Sequence, residues 1–379
     1  MAGYKSNPSF VLQKINETSF EERAVPDVGP YDVLVEVKKT GLCGSDVHYL
    51  THGGIGDFIL HAPMVLGHES AGIVSHVGAK VEDLKPGMRV AMEPGRSCRR
   101  CEQCKVGKYQ LCPEMVFAAT PPVHGTLARY YGLPADLAYP LPEHVSLEEG
   151  AMMEPLSVGV HSVSKLGNFQ TGQTIAVYGA GPVGLLCMAV ARALGAARVI
   201  AVDIVQARLD FAKTYAGADT YLPPKPADGE KRIDYSKRVV KEMSEALGID
   251  KRGAKAVDLV IDASGAEACI QMGLFLVKFG GTYVQVGMGT PEVTIPIGLF
   301  LEKELTVKGS FRYGAGDYPT AIQLVASGKV DVKPLITHRF PFKEAIKAFD
   351  TSRTGKGPDG KGVIKAIIDG PLENDSAQA

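Results

Sequence analysis

The sequence predicts an α/β protein in which a doubly wound parallel-sheet domain is set into a mainly β domain built from both chain ends. Three observations carry this expectation. Between residues 174 and 287 apolar strands alternate with helical segments, the pattern of a parallel sheet covered on both faces. The first 150 residues hold short β-type runs broken by Gly and Pro, the texture of an antiparallel or barrel-like domain. After residue 290 the chain returns to mixed structure.

In chain order, PSFVLQ (8–13), YDVLVEVKKT (31–40), SAGIVSHVG (70–78) and MRVAMEP (88–94) read as strands. Their β-branched and aromatic content suits a pleated, half-buried surface. From residue 174 the reading is strand TIAVYG, helix PVGLLCMAVARALG, strand RVIAVD and helix QARLDFAKTYAG. Helix SKRVVKEMSEALG (236–248), strand AVDLVIDAS (256–264), helix EACIQMGLFLVKFG (267–280) and strand GTYVQVG (281–287) follow. A helix at PTAIQLVASG (319–328) and a strand at VIKAII (363–368) complete the set. The expected spans are 1–158 for the first part of the β domain, with a cysteine lobe at 95–113, 159–290 for the α/β domain, and 291–379 for the second part.

The 379 residues suffice for two domains with proper cores. With 41 basic and 42 acidic side chains the net charge is −1, which argues against a sequence-independent nucleic-acid binder. No apolar run reaches the ~18 residues of a membrane span, and MAGYKSNPSFVLQ lacks the basic and apolar regions of a signal peptide. A cytoplasmic protein with neither nucleic-acid nor membrane partners is expected. Seven cysteines, an odd count, make a disulfide framework unexpected.

The first βα turn of the α/β domain is Gly179-Ala-Gly181-Pro182-Val183-Gly184. Gly179 permits the tight turn, Gly181 lets backbone approach a pyrophosphate, and Gly184 allows close helix–strand packing. Phosphates would sit at the helix N-terminus, where free N–H groups and the dipole favour anions. Asp203 closes the second strand nineteen residues after Gly184, where a carboxylate accepts from ribose hydroxyls and repels a 2′-phosphate. NAD is therefore expected over NADP. Arg208, one helical turn on, suits ribose contact beside Asp203, although an arginine there could also pair with a phosphate.

Cys98, Cys101, Cys104 and Cys112 fall within fifteen residues. Four thiolates close a tetrahedral zinc shell with no open position, which makes the expected role structural. An iron–sulfur cluster is the rival, but its usual run has three residues before the last cysteine, whereas seven stand here. Two further segments, Cys43-Gly-Ser45-Asp46-Val-His48 and Gly67-His68-Glu69-Ser-Ala-Gly72, carry the borderline-soft donors of a catalytic zinc. Taken singly, a buried cysteine is more often a small core residue, and a lone histidine a hydrogen-bonded structural one.

The GHE-SAG and CGSD-x-H segments, the cysteine lobe and the later GxGxxG together resemble the medium-chain zinc alcohol dehydrogenases, in an order that covers nearly the whole chain. The polyol branch is the most similar, through HGGIGDF (52–58), VFAATPP (116–122), MMEPLSV (152–158) and GSFRY (309–313). Residues 7–12 with ARYYGLPADLAY (128–139) and RLDFAKTYA (208–216) look most like the fungal xylitol dehydrogenases. The resemblance implies a Rossmann-type cofactor domain and a GroES-like catalytic domain. It also implies NAD, two zincs per chain and a homotetramer.

Carried over residue by residue, the resemblance makes Cys43 and His68 zinc ligands. The third position is a carboxylate, Glu69 or Glu154, where other alcohol dehydrogenases place a cysteine. The implied reaction takes a secondary hydroxyl of a polyol whose pKa the metal lowers and passes hydride to the nicotinamide. Ser45 and His48 are implied either as a proton relay or as support for Cys43, with Glu154 and a water as the competing route. Tyr49, Phe117, Arg312, Tyr313 and Glu154 are expected to line the polyol pocket. Pro182, Val183 and Arg208 join the glycines and Asp203 around the cofactor.

Xylitol oxidation to D-xylulose is the expected activity, with sorbitol or L-iditol oxidation at C2 and L-arabinitol oxidation at C4 as rivals. A catalytically silent dinucleotide binder would lack a ligand at Cys43, His68 or Glu69, and none is missing. A zinc-finger-like nucleic-acid binder would need a basic recognition element. Arg96, Arg99, Arg100, Lys105 and Lys108 read instead as solvated loop charges. Cys187 and Cys269 fall in expected helices of the α/β domain.

Overall fold

The computed structural model describes residues 6–372 and Asp375. One compact unit runs to Glu154 and resumes at Gly314, and the other is Pro155–Tyr313. The first unit is built on a seven-stranded sheet. Its order is Ala138–Pro140, Arg89–Met92, Glu69–Val77, Asp32–Gly41, Lys365–Asp369 and Ile336–Phe340, with Tyr130–Pro134 also paired to Asp32–Gly41. A smaller sheet joins Glu17–Arg23, Asn7–Lys14 and Met64–Val65. The run FVLQ of the sequence lies inside Asn7–Lys14, where Phe10, Val11 and Leu12 are fully buried. Its neighbour ETSFEER is an edge strand whose charges discourage further pairing.

Among the described residues, two apolar clusters are built from strands of this unit. One gathers Phe10, Leu12, Leu66 and Leu127 with Phe340, Ala348, Phe349 and Ile368, and so ties the N-terminal strands to the C-terminal ones. The other packs Val33, Val35 and Val37 against Val74, Val90 and Leu133. Val33, Val35 and Val37 share this cluster because residues two apart on a strand point to one face, while Leu34 between them is buried on the other.

The second unit is a six-stranded parallel sheet in the order Asp219–Tyr221, Arg198–Val202, Thr174–Tyr178, Val257–Asp262, Val277–Gln285 and Thr306–Gly309. TIAVY is buried at every position, as a central strand covered on both faces must be. The strand order reverses between Thr174–Tyr178 and Val257–Asp262, which opens the crevice where doubly wound sheets take ligands. Helix Pro182–Ala193 starts with proline at its first position, where the missing N–H costs nothing. Helices Gln206–Ala216 and Arg232–Leu247 each end on a left-handed glycine, Gly217 and Gly248.

Three expectations need correction. The α/β unit does not stop at residue 290: Thr306–Gly309 adds to its sheet, pairing Thr282 with Thr306 through Gln285 with Gly309. That strand is short and mostly exposed, so no apolar run announced it. The first junction lies at Glu154/Pro155 instead of 158/159. Helix Met153–Val160 spans it, so no loop composition marks the place. Finally, the helix expected over 267–280 ends at Leu276, and Val277–Gln285 is strand. Val277 pairs with Val257 in the sheet, and this pairing outweighs the helical continuation of an apolar run.

Candidate active site

Cys43 caps helix Gly44–His52, and the Asp46 carboxylate in its first turn lies 3.4 Å from the Cys43 N–H. The helix ends on Gly53 in the left-handed conformation, φ 73°. His68 and Glu69 enter strand Glu69–Val77, which pairs with Asp32–Gly41 so that Glu69 faces Gly41. Cys43 stands two residues beyond Gly41. This register brings the two motifs together: one donor atom each from Cys43, His68 and Glu69 lies within 4.8 Å of the others.

Asp46 organises this cluster. It is fully buried, accepts the Gly67 N–H at 2.9 Å and sits 3.4 Å from His68 Nδ1. Burial alone would push the His68 imidazole down, but Asp46 and the Cys43 sulfur outweigh it and hold it well above its usual range. Glu69 is held from the other side by Lys365, whose Nζ donates to both carboxylate oxygens at 2.7 and 2.6 Å and to the Leu42 carbonyl at 3.0 Å. Sequence reasoning missed both residues. Asp46 lay inside a motif already singled out. Lys365 was a lone charge inside the apolar strand VIKAII, and a buried charge demands a partner.

Glu154 is buried near the start of helix Met153–Val160 and acts electrostatically on Lys365 and Tyr318, but it is not one of the three converging donors. Ser45 lies in the first turn of Gly44–His52. His48 is exposed on the same helix and stacks on His52 with ring centroids 4.3 Å apart. Tyr49 belongs to the apolar cluster around Phe10. The Phe117 ring approaches that of His68, at 5.9 Å between centroids. Arg312 and Tyr313 belong to the α/β unit. Arg312 has φ 55° and lies over the Phe311 ring, and Tyr313 is buried.

The four lobe sulfurs also converge within 4.8 Å. Sγ–Sγ distances are 4.0 Å for Cys98–Cys104 and 3.5 Å for Cys101–Cys104. A tetrahedral zinc with ~2.3 Å bonds asks for ~3.8 Å, so the thiols present fit that ion. Backbone N–H groups of Cys98 and Cys101 point at the sulfurs of Cys112 and Cys98. The basic residues beside the lobe are partly paired, Arg99 with Asp136 and Arg100 with Glu114, both at 2.7 Å. Glu93 takes hydrogen bonds from Tyr109 of the lobe at 2.5 Å and from Tyr139 at 2.9 Å. Burial raises its carboxyl to about 7 against the pull of both tyrosines.

In the α/β unit Gly179 has φ 91°. A Cβ on Gly184 would lie 1.8 Å from the Gly179 carbonyl oxygen, whereas one on Gly181 would meet no atom within 4 Å. The protein's own packing thus demands glycine at 184 but not at 181, as expected if Gly181 is reserved for a ligand's approach. Asp203 accepts the Ala180 and Val205 N–H groups at 2.8 and 2.9 Å, with Arg208 Nη1 3.7 Å away. The turn and the second strand are therefore joined through this carboxylate.

Residues 182–327 match the zinc-binding dehydrogenase family, and residues 29–143 match the alcohol dehydrogenase GroES-like domain. With these matches and a full-length relative at 54% identity, the chain belongs to the zinc-binding dehydrogenases. That relative is D-xylulose reductase A of Aspergillus niger, aligned over 365 residues, 96% of this chain and 97% of its own. Among solved structures, L-idonate 5-dehydrogenase of Escherichia coli K-12 is similar with a TM-score of 0.83 and 28% identity, over 96% of this chain and 98% of that one. A protein of Escherichia coli CFT073, described as a short chain alcohol dehydrogenase complexed with NADH, has the same TM-score at 27% identity, over 96% and 99%. Among the described residues no helix is long and apolar enough to cross a membrane.

Proposed function

We propose that this zinc-binding dehydrogenase interconverts xylitol and D-xylulose with NAD. The observation that carries the substrate is 54% identity to D-xylulose reductase A across nearly both chains. Cys43, His68 and Glu69 would hold the catalytic zinc, since their donor atoms converge and combine the soft and hard ligands zinc accepts. Cys98, Cys101, Cys104 and Cys112 would hold a structural one. Bound at the first site, zinc supplies Lewis acidity that favours ionisation of a secondary hydroxyl.

The chain's own groups do the rest. Asp46 fixes the His68 ring through Nδ1, leaving the other ring nitrogen for ligation, as carboxylate–histidine pairs at metal sites do. Phe117 forms a flat wall beside His68, and Tyr49, Arg312 and Tyr313 are assigned to the polyol by resemblance. A site that hydrogen-bonds hydroxyls rejects simple alcohols, because its own polar groups would be left unpaired. Ser45 and His48 carry the released proton outward, His48 being exposed beside His52. Glu154 is the alternative proton acceptor. The dinucleotide lies over Gly179–Gly184, with Pro182 and Val183 opening the helix below its phosphates and Asp203 and Arg208 at the adenosine ribose. NAD is favoured because the carboxylate at 203 disfavours a 2′-phosphate.

The enzyme is proposed to be a cytoplasmic homotetramer, a state consistent with thiol-rich, disulfide-free cysteine usage and with the open edge of strand Thr306–Gly309. The test measures zinc per chain together with NAD-reduction rates on xylitol, sorbitol, L-arabinitol and ethanol. About two zincs, with xylitol fastest and ethanol inert, is the expected result. Faster turnover of sorbitol or L-arabinitol would move the assignment to that polyol, and bound zinc without polyol oxidation would overturn it.

A further inference from the structure

Lys365 is 3% exposed, and Glu69, its partner, 1%. The ammonium touches both oxygens of that carboxylate and the carbonyl of Leu42, the residue directly before Cys43. On its other side the carboxylate is packed against backbone: a Cβ on Gly41 would come 2.4 Å from Glu69 Oε2. A full positive charge is therefore buried against the donor set, and both oxygens of the third donor are engaged. Lysine offers three donors and no acceptor, so it cannot join the ligands. A divalent metal at the site would draw on the same carboxylate, and two cations in a dry environment repel strongly.

We propose that Lys365 is a stand-in cation: it neutralises Glu69 when the site is metal-free and limits how tightly Cys43, His68 and Glu69 hold zinc. The inference rests on reading those three residues as the zinc ligands. Its first consequence is that the metal-free site stays folded, because no buried carboxylate is left uncompensated. Its second is that metal binding works against a fixed positive charge. The contrary role is that of an outer partner which orients a ligand and thereby strengthens binding, as carboxylates and carbonyls do for ligating histidines. Such partners donate electron density through the ligand. An ammonium withdraws it, so the two roles differ in the sign of the effect on affinity.

Holoenzyme of the wild type, Lys365→Met, Lys365→Gln and Lys365→Arg is dialysed against chelator-buffered zinc, and zinc per chain is counted at each free-zinc level. The lobe zinc is common to all four, so the second step reports the active site. In Lys365→Met that step should move to lower free zinc by on the order of 10–100-fold, the range that outer partners of metal ligands command. Lys365→Arg should stay with the wild type. The gap in melting temperature between zinc-loaded and stripped protein should widen for Lys365→Met. Lys365→Gln keeps a hydrogen-bond donor without the charge and must show the same affinity shift, which decides the matter if the Met variant does not fold. A second step that stays in place or moves to higher free zinc in a folded neutral variant overturns the stand-in role alone. A wild type that takes up zinc at the lobe alone overturns the ligand assignment, and this inference with it.

Discussion

Gly181 and Gly184 sit three residues apart in one turn, yet the structure asks different things of them. A methyl at 184 collides with the Gly179 carbonyl and one at 181 meets nothing. Gly184→Ala should therefore lose about 1–3 kcal/mol of stability, as overpacked sites do. Gly181→Ala should melt like the wild type but bind NADH more weakly, read by thermal unfolding beside a fluorescence titration. Equal stability losses would remove the ligand explanation for Gly181. At this scale the sequence was most legible where the chemistry is local in the chain. The glycine turn, the cysteine lobe and the CGSD-x-H segment each declare themselves within fifteen residues. The Glu69–Lys365 pair does not, because its partners are brought together only when Lys365–Asp369 takes its place beside Asp32–Gly41.

Two elements have separable jobs. The cysteine lobe is tied to the body of its unit through Tyr109 and Glu93, and the Cys43–His68–Glu69 cluster is a distinct donor set. Cys101→Ser should lower the melting temperature, on the order of 5 °C, while leaving kcat below the transition unchanged. Turnover lost with stability intact would give the lobe a chemical role. Glu93 makes a pH test of the same tie. Its carboxyl is raised from an ordinary 4.5 to about 7, so between those values the folded chain binds more protons than the unfolded one. Its contribution is complete below about 4.5 and is lost as pH rises through about 7, a change on the order of 3 kcal/mol. Glu93→Gln does not titrate, and its stability deficit against the wild type should shrink from pH 5 to pH 7.5 in paired melting curves. A deficit that stays constant would show that Glu93 keeps its proton equilibrium unchanged on folding. Neither tyrosine was visible in the sequence as a partner of Glu93, since the pairs are separated by sixteen and forty-six positions.

At the level of the whole molecule, the alternation of apolar strands and helices made the parallel sheet readable, because burial on both faces writes itself into hydropathy. Its last strand, TVKG, was not readable because it lies at the exposed edge. The same edge carries Val307, with Ile297 and Leu301 exposed in the preceding segment. An open, partly apolar edge invites a second chain. Val307→Lys should accordingly yield a smaller assembly by analytical ultracentrifugation, with zinc content unchanged. An assembly of unchanged size would place any subunit contact of the proposed tetramer elsewhere.

The place of Lys365–Asp369 in its sheet also dictates a timetable. It pairs with Lys39, Thr40 and Gly41 on one side and with Ile336–Phe340 on the other, although more than 300 residues separate it from the former. On the ribosome the end of Asp32–Gly41 must wait, one side unpaired, while the entire inserted unit is made and can close on itself. The cradle around Cys43 and Glu69 is finished only when Lys365–Asp369 emerges. The proposed ligands Cys43, His68 and Glu69 are all made before the inserted unit, so the counter-charge of Lys365 reaches Glu69 long after the donors themselves exist, whereas the lobe at 98–112 has its four thiols complete in a single short stretch.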